Sequence, residues 1–256
     1  MIDIAPRIFL AILFATCPHT TVKASEPPAL ESMYQDAPKG LPSEAAWGYW
    51  KAAPTSWMIV HQQFVTRSQQ GNVDVVFLGD SITRGWKQVE STNWTESTPP
   101  LQTVNYGIGG DTTRQVIWRI KHGELDGIKP KLVVLMIGTN NLYADNNSGT
   151  NEQIVDGVKT IFGLIREKSP DTRFLLLGVL PRERKFWCDR IAVLNGLLAA
   201  LNEPGRVQFH DAGAKFIGED GEINKELFSA DLVHLNAAGY EILTTAVKPL
   251  VKSLYQ

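Results

Sequence analysis

An α/β fold with a mostly parallel sheet is what this 256-residue sequence predicts, on three observations. Short β-rich runs alternate with longer amphipathic stretches after residue 70; runs such as 132–137 are continuously apolar rather than alternating; and glycine turns follow the first three. Strands that are apolar on both sides need cover on both faces, and helical crossovers between parallel strands supply it.

The chain divides into three stretches. Residues 1–24 read as an export signal: Arg7 precedes an apolar run at 8–15, and Val22-Lys23-Ala24 offers the small residues a signal peptidase needs. The run is too short to span a bilayer, so after cleavage no stable membrane insertion is expected. An uncleaved anchor is the alternative, and Thr16 is a poor residue before a lipidated Cys17. Residues 25–70, with Pro27, Pro28, Pro38, Pro42 and Pro54, form an irregular to helical lead-in that wraps the domain; residues 71–256 form the domain itself. Loss of 1–24 leaves Cys188 as the one cysteine, so no internal disulfide holds an exported form and the core must do so.

Within the domain the strand candidates are 73–78, 103–106, 132–137, 174–179 and 207–209. Between them, Ile154, Val155, Val158, Ile161, Phe162 and Ile165 share one helical face, and Thr150 with Gln153 is spaced as a capping box at its start. The last helix runs from Asn236 through Ile242, Leu243, Val247, Leu250 and Leu254. Composition narrows the function: 25 basic against 27 acidic side chains lacks the cationic excess that releases counterions from nucleic acid, so no nucleic-acid partner is expected.

In a parallel sheet, ligands bind beyond the carboxyl ends of the strands. The first run is followed there by Gly79-Asp80-Ser81-Ile82-Thr83, the second by Gly107-Ile108-Gly109-Gly110-Asp111 and the third by Gly138-Thr139-Asn140-Asn141; Asp231-Leu232-Val233-His234 precedes the last helix. These are the groups ester hydrolysis requires. Ser81 offers a hydroxyl, His234 a base near neutral pH and Asp231 a carboxylate to orient it, while the glycine turn and Asn140 offer donors for a developing oxyanion. Asp80 is expected to hydrogen-bond its own loop, Asn141 to be the structural member of its pair, and Trp86, Trp94, Trp118 and Trp187 to be core or pocket wall.

Other chemistries lack their signatures. A dinucleotide fingerprint would need glycine where Thr112 stands, and a nucleophile elbow would need it at Thr83. His19, His61, His122, His210 and His234 include no pair at ligand spacing on a helix, so no metal is expected; His210, after the fifth run, has no acid at a comparable spacing.

Together the four blocks resemble those of the GDSL family of hydrolases, also called SGNH hydrolases. The stretch 105–118, Gly123-Glu124-Leu125 and Lys129-Pro130-Lys131 on to Asn141 is similar to the catalytic subunits of brain platelet-activating factor acetylhydrolases. The similarity runs from about residue 72 to the C-terminus. It implies a three-layer α/β/α sandwich with a five-stranded parallel sheet, flavodoxin-like in plan, with no cofactor. It also implies that Ser81 is the nucleophile, His234 the general base and acid, and Asp231 its partner. The oxyanion donors would be the Ser81 and Gly110 main-chain N–H groups and the Asn140 amide, with Gly109 as the alternative to Gly110. The signal-like N-terminus and the proline-rich lead-in depart from the intracellular brain enzymes and leave substrate and a homodimer open.

The function expected is hydrolysis of short-chain esters, acetyl first, on a small molecule or glycan, by an exported enzyme. A lysophospholipase or thioesterase with a longer acyl groove is the alternative, and a non-catalytic carbohydrate-binding relative is the reading from another class.

Overall fold

The computed structural model describes residues 54–87, 101–143 and 149–255. The expected signal at 1–24, the lead-in up to residue 53 and Trp94 lie outside them. The chain enters on helix α1 (Pro54–Gln69) and continues through β1 (Val75–Gly79), α2 (Ser81–Gly85), β2 (Thr103–Gly107), α3 (Thr113–Lys121) and β3 (Leu132–Met136). Then come α4 (Thr139–Tyr143), α5 (Asn151–Lys168), β4 (Arg173–Leu177), α6 (Lys185–Ala199), β5 (Val207–His210), two 3-10 turns and α7 (Ala237–Tyr255).

The five strands are all parallel and lie in the order β2-β1-β3-β4-β5. One sheet face, with Val76, Leu78, Val133, Leu135 and Leu176, is covered by apolar residues of α3, α5 and α6. The other, with Val75, Phe77, Val134 and Leu175, is covered by Ile82 of α2 and Leu243, Val247 and Val251 of α7. This is the expected three-layer sandwich. Each fully buried α7 side chain contributes roughly 1.5–3 kcal/mol of transfer free energy. A smaller cluster, Trp57, Ile108 and Trp118, docks α1 against the β2–α3 connection.

Strand ends differ from expectation by one or two residues, for local reasons. β1 starts at Val75 because Gly71 and Asn72 turn the chain at positive φ, 69° and 53°. β4 stops at Leu177 because the Asn195 side chain takes over the backbone of Val179, accepting its N–H at 2.9 Å and donating to its carbonyl at 3.0 Å. The capping box expected at α5 is present, with Thr150 as N-cap and Gln153 reaching back to its N–H. No helix among the described residues is long and apolar enough to cross a membrane.

Candidate active site

Register brings the loops together. Gly79 at the end of β1 lies opposite Gly107 of β2 and Met136 of β3, so the three segments that follow leave the sheet at one level. The backbone is too tightly packed at Gly79 for a side chain: a methyl there would lie 2.2 Å from the Met136 carbonyl oxygen and 2.3 Å from Thr83 Oγ1. Asp80 then caps α2, its carboxylate accepting the Ile82 N–H at 2.9 Å, which leaves Ser81 at the first helical position. Burial pushes the Asp80 carboxyl up to about 6, against the Ile82 hydrogen bond and the attraction of His234. Asn105 ties β2 to α2 by donating to the carbonyls of Thr83 and Trp86 at 2.7 and 3.2 Å.

His234 arrives on a loop closed on itself. Phe228 and Leu235 form an antiparallel bridge, the Ser229 N–H donates to the His234 carbonyl at 2.7 Å, and Leu232 turns at φ 53°. Asn236 begins α7 by accepting the Gly239 N–H at 3.1 Å, and its amide donates to the Glu226 carbonyl at 2.7 Å. The helix is then pinned to the serine element: Tyr240 OH donates to the Ile82 carbonyl and Trp86 Nε1 to Thr244 Oγ1, both at 2.8 Å.

The result is a continuous relay. Ser81 Oγ lies 2.8 Å from His234 Nε2, and His234 Nδ1 lies 2.5 Å from Asp231 Oδ2. The other Asp231 oxygen accepts the main-chain N–H groups of Val233 and His234, each at 3.0 Å. Although partial burial pushes the Asp231 carboxyl up, the hydrogen bonds from His234 and Val233 hold it below the ordinary range. An ionised carboxylate only accepts, so Nδ1 is the donor of that pair, and in the neutral ring Nε2 is an acceptor facing the Ser81 hydroxyl. His234 and Asp231 side chains are 41% and 50% exposed, so the pairing is worth more as orientation than as Coulomb energy.

The expected oxyanion donors lie in and beside the turn that follows β2. Ile108 to Asp111 form a turn closed by Asp111 N–H to the Ile108 carbonyl at 3.3 Å, with Gly110 at φ 80°, a conformation that favours glycine. Gly109 faces Ser81: a methyl there would touch Ser81 Cβ and Arg84 Nη1 at 3.6 Å. Asn140 at the start of α4 donates one amide hydrogen to the Asp111 carbonyl at 2.8 Å, which leaves the second for another acceptor. Asn141 is the structural partner, buried and bonded to the Thr113 N–H and hydroxyl, each at 3.1 Å.

Beneath this turn lies a buried ionic cluster that the sequence reading did not anticipate. Asp111, Arg119 and Glu124 are each 0% exposed. Arg119 Nε sits 2.9 Å from Asp111 Oδ2, and its Nη1 lies 2.7 and 2.6 Å from the two Glu124 oxygens. Arg119 also donates to the carbonyls of Tyr106 and Gly79, at 3.0 and 3.3 Å. Trp57 of α1 adds an indole N–H to Asp111 Oδ1 at 2.7 Å. Burial pushes the Asp111 carboxyl up to about 7; Arg119 and Trp57 pull it down, and Glu124 and Asp80 push it further up. Arg182, 3% exposed, donates to the Thr139 carbonyl and hydroxyl at 3.3 and 3.2 Å, next to Asn140. No motif marks either feature; the nearest signal is a strongly charged pair, Arg119 and Glu124, beside an apolar helix face.

Other candidates fall elsewhere. His210 ends β5, the strand farthest from β1 on that side of the sheet. Trp86 and Trp118 are core, at 1% exposure each, and Trp187 packs partly buried against the core. Among the described residues no group of three His, Cys, Asp or Glu side chains is placed to hold a metal ion.

Comparison with known proteins follows the same blocks. Residues 77–242 match the model of the GDSL-like lipase/acylhydrolase family. The chain is similar to platelet-activating factor acetylhydrolase IB subunit alpha2 of Homo sapiens, 37% identical over 204 residues, which covers 78% of this chain and 85% of that protein. With subunit alpha1 of Homo sapiens it shares 38% identity over 201 residues, 77% of this chain and 84% of that one. A solved GDSL-like lipase from Bacteroides thetaiotaomicron shares the fold, with a TM-score of 0.58 at 21% identity over 75% of this chain and 97% of that one.

Proposed function

From the premise that this chain belongs to the GDSL-like lipase/acylhydrolase family, and is therefore a carboxylic ester hydrolase, we propose that it cleaves short-chain esters, acetyl first, through an acyl-enzyme on Ser81. The observation that carries this reading is the contact of Ser81 Oγ with His234 Nε2 at 2.8 Å, with Nδ1 held by Asp231 at 2.5 Å.

His234 takes the Ser81 proton as the hydroxyl oxygen attacks the ester carbonyl. The N–H groups of Ser81 and Gly110, which have no protein acceptor among the described residues, and the spare Asn140 amide hydrogen receive the negative oxygen of the tetrahedral intermediate. His234 then gives its proton to the departing alkoxide, freeing the alcohol and leaving acyl-Ser81. Water attacks the acyl-enzyme by the same route, losing its proton to His234, and the acid leaves as Ser81 recovers its hydrogen.

The acetyl preference is supported by similarity to two proteins named acetylhydrolases. The apolar run at 8–15 ahead of Ala24 supports an exported form, and export favours an acetylated glycan as the ester presented to it. A serine-directed fluorophosphonate probe tests the nucleophile. Labelling of the wild type and none of Ser81→Ala is expected; equal labelling of both overturns the assignment. Comparing p-nitrophenyl acetate with octanoate tests the chain length, and a faster octanoate reaction replaces the acetyl reading by one with a longer acyl site.

A further inference from the structure

We infer that helix α1 belongs to the esterase machinery: Trp57 is a positioning residue that, by its hydrogen bond to the buried Asp111 carboxylate, sets the two oxyanion donors attached to Asp111. This rests on the oxyanion role proposed above for Gly110 and Asn140.

Asp111 is where the donors meet. Its main-chain neighbour is Gly110, its own N–H closes the turn that aims Gly110, and its carbonyl holds the Asn140 amide at 2.8 Å. Displacing Asp111 therefore moves both donors together. Its carboxylate has two anchors, Arg119 Nε at 2.9 Å and Trp57 Nε1 at 2.7 Å. Arg119 is itself fixed by Glu124 and by the carbonyls of Tyr106 and Gly79, at the ends of β2 and β1. Trp57 is the anchor that comes from outside the family-matched segment 77–242.

Helix α1 is built to hold it there. Trp57, His61, Phe64, Val65 and Ser68 recur at helical spacing on the side facing the domain. The Trp57 ring packs on Trp118 with centroids 5.4 Å apart, Phe64 stacks on Tyr106 at 4.5 Å, and Ser68 Oγ donates to the Glu124 carbonyl at 2.6 Å. Packing alone would leave the indole nitrogen without a task; here it meets a carboxylate that has lost its water.

The charged groups facing Asp111 give the bond a measurable signature. Arg119 from α3 favours the carboxylate, while Glu124 after α3 and Asp80 after β1 oppose it; His61 of α1 faces Glu124 at 3.5 Å. Removing the indole N–H removes a stabiliser of the ionised form, so Asp111 takes up its proton at higher pH and loosens from Arg119.

The test is Trp57→Phe in the full chain, assayed with p-nitrophenyl acetate. Since small displacements of donors cost up to about 10²-fold, we expect kcat to fall about tenfold, KM to stay within about twofold, and the acidic limb of the kcat–pH profile to move to higher pH. Asp111→Ala, which leaves the Trp57 indole N–H no acceptor at position 111, should lower kcat at unchanged KM, and Trp57→Phe added to it should cost little more, because the tryptophan acts through the aspartate. Wild-type kcat and pH profile in Trp57→Phe, or additive losses in the double variant, overturn the inference. If Trp57→Phe does not fold, Asp111→Ala decides: reduced kcat at unchanged KM supports the positioning role and wild-type kcat overturns it. Fluorophosphonate labelling separates the two levels. A labelled, slow Trp57→Phe enzyme keeps its nucleophile, whereas an active Ser81→Ala enzyme sinks the underlying reading instead.

Discussion

Ser81 Oγ and His234 Nε2 lie 2.8 Å apart across 153 positions of sequence, because one residue begins the helix after β1 and the other ends the loop before α7. The two elements are bound to each other independently of this contact, through Tyr240 to the Ile82 carbonyl and Trp86 to Thr244.

That independence makes the relay removable without loss of the fold. Ser81→Ala and His234→Ala should each unfold within about 0.5–1 kcal/mol of wild type in urea, while kcat for p-nitrophenyl acetate falls by several orders of magnitude. Retained turnover in Ser81→Ala ends the triad assignment.

Asp231→Asn tests orientation. A carboxamide presents N–H as well as carbonyl to Nδ1 and permits the tautomer whose Nε2 bears the proton, which cannot accept one from Ser81. We expect kcat down by about 10²- to 10⁴-fold at similar KM; the lower end applies if water at this half-exposed pair substitutes for the lost charge.

Asn140→Ala removes one proposed oxyanion donor and also the bond to the Asp111 carbonyl. The expected loss is about 10²- to 10³-fold in kcat. A loss confined to KM would place Asn140 in substrate binding rather than at the reacting oxygen.

Asp80 makes stability depend on pH. Its folded carboxyl titrates at about 6 against 3.8 ordinarily, so the folded state holds the proton more tightly and the group's contribution to stability is lost as pH rises from about 4 through about 6. Asp80→Asn keeps an acceptor for the Ile82 N–H and removes the titration. Relative to wild type it should therefore gain stability between pH 4.5 and 7.5, by up to about 3 kcal/mol, in urea unfolding. A difference between the two proteins that is constant with pH contradicts the assigned burial cost.

Arg119→Met leaves Asp111 and Glu124 buried without their cation. A loss of about 3–5 kcal/mol is expected at neutral pH, smaller at pH 5 where Asp111 can take up a proton. A variant as stable as wild type at pH 7 would mean the cluster is wetter than its zero exposure implies.

The parts legible in the sequence are those whose physics is local. A continuous apolar run such as 132–137 demands two covered faces wherever it sits, a threonine three residues before a glutamine caps α5, and Gly110 beside Asp111 announces a turn. The resemblance to the family blocks is what singles out Asn140 rather than Asn141 for the proposed oxyanion role. Trp57 and Arg119 could not be read this way. Their partners are fixed by packing between α1, α3 and the β2 loop, and a tryptophan in a proline-rich lead-in or an arginine in an amphipathic helix has solvent or core as its ordinary destination. Strand ends escaped for the same reason: at Val179 a side chain from α6 ends β4.

Because every strand points the same way, the two rims of the sheet differ in kind, and α7 returns the chain to the rim remote from Ser81. Tyr255 accepts from Lys131 just ahead of β3 and donates to Asp74 just ahead of β1, each at 3.2 Å. A linker fused beyond Tyr255 therefore leaves the described domain at the rim opposite Ser81, and the protein can be fixed to a resin by that end with the Ser81 rim turned toward the solution.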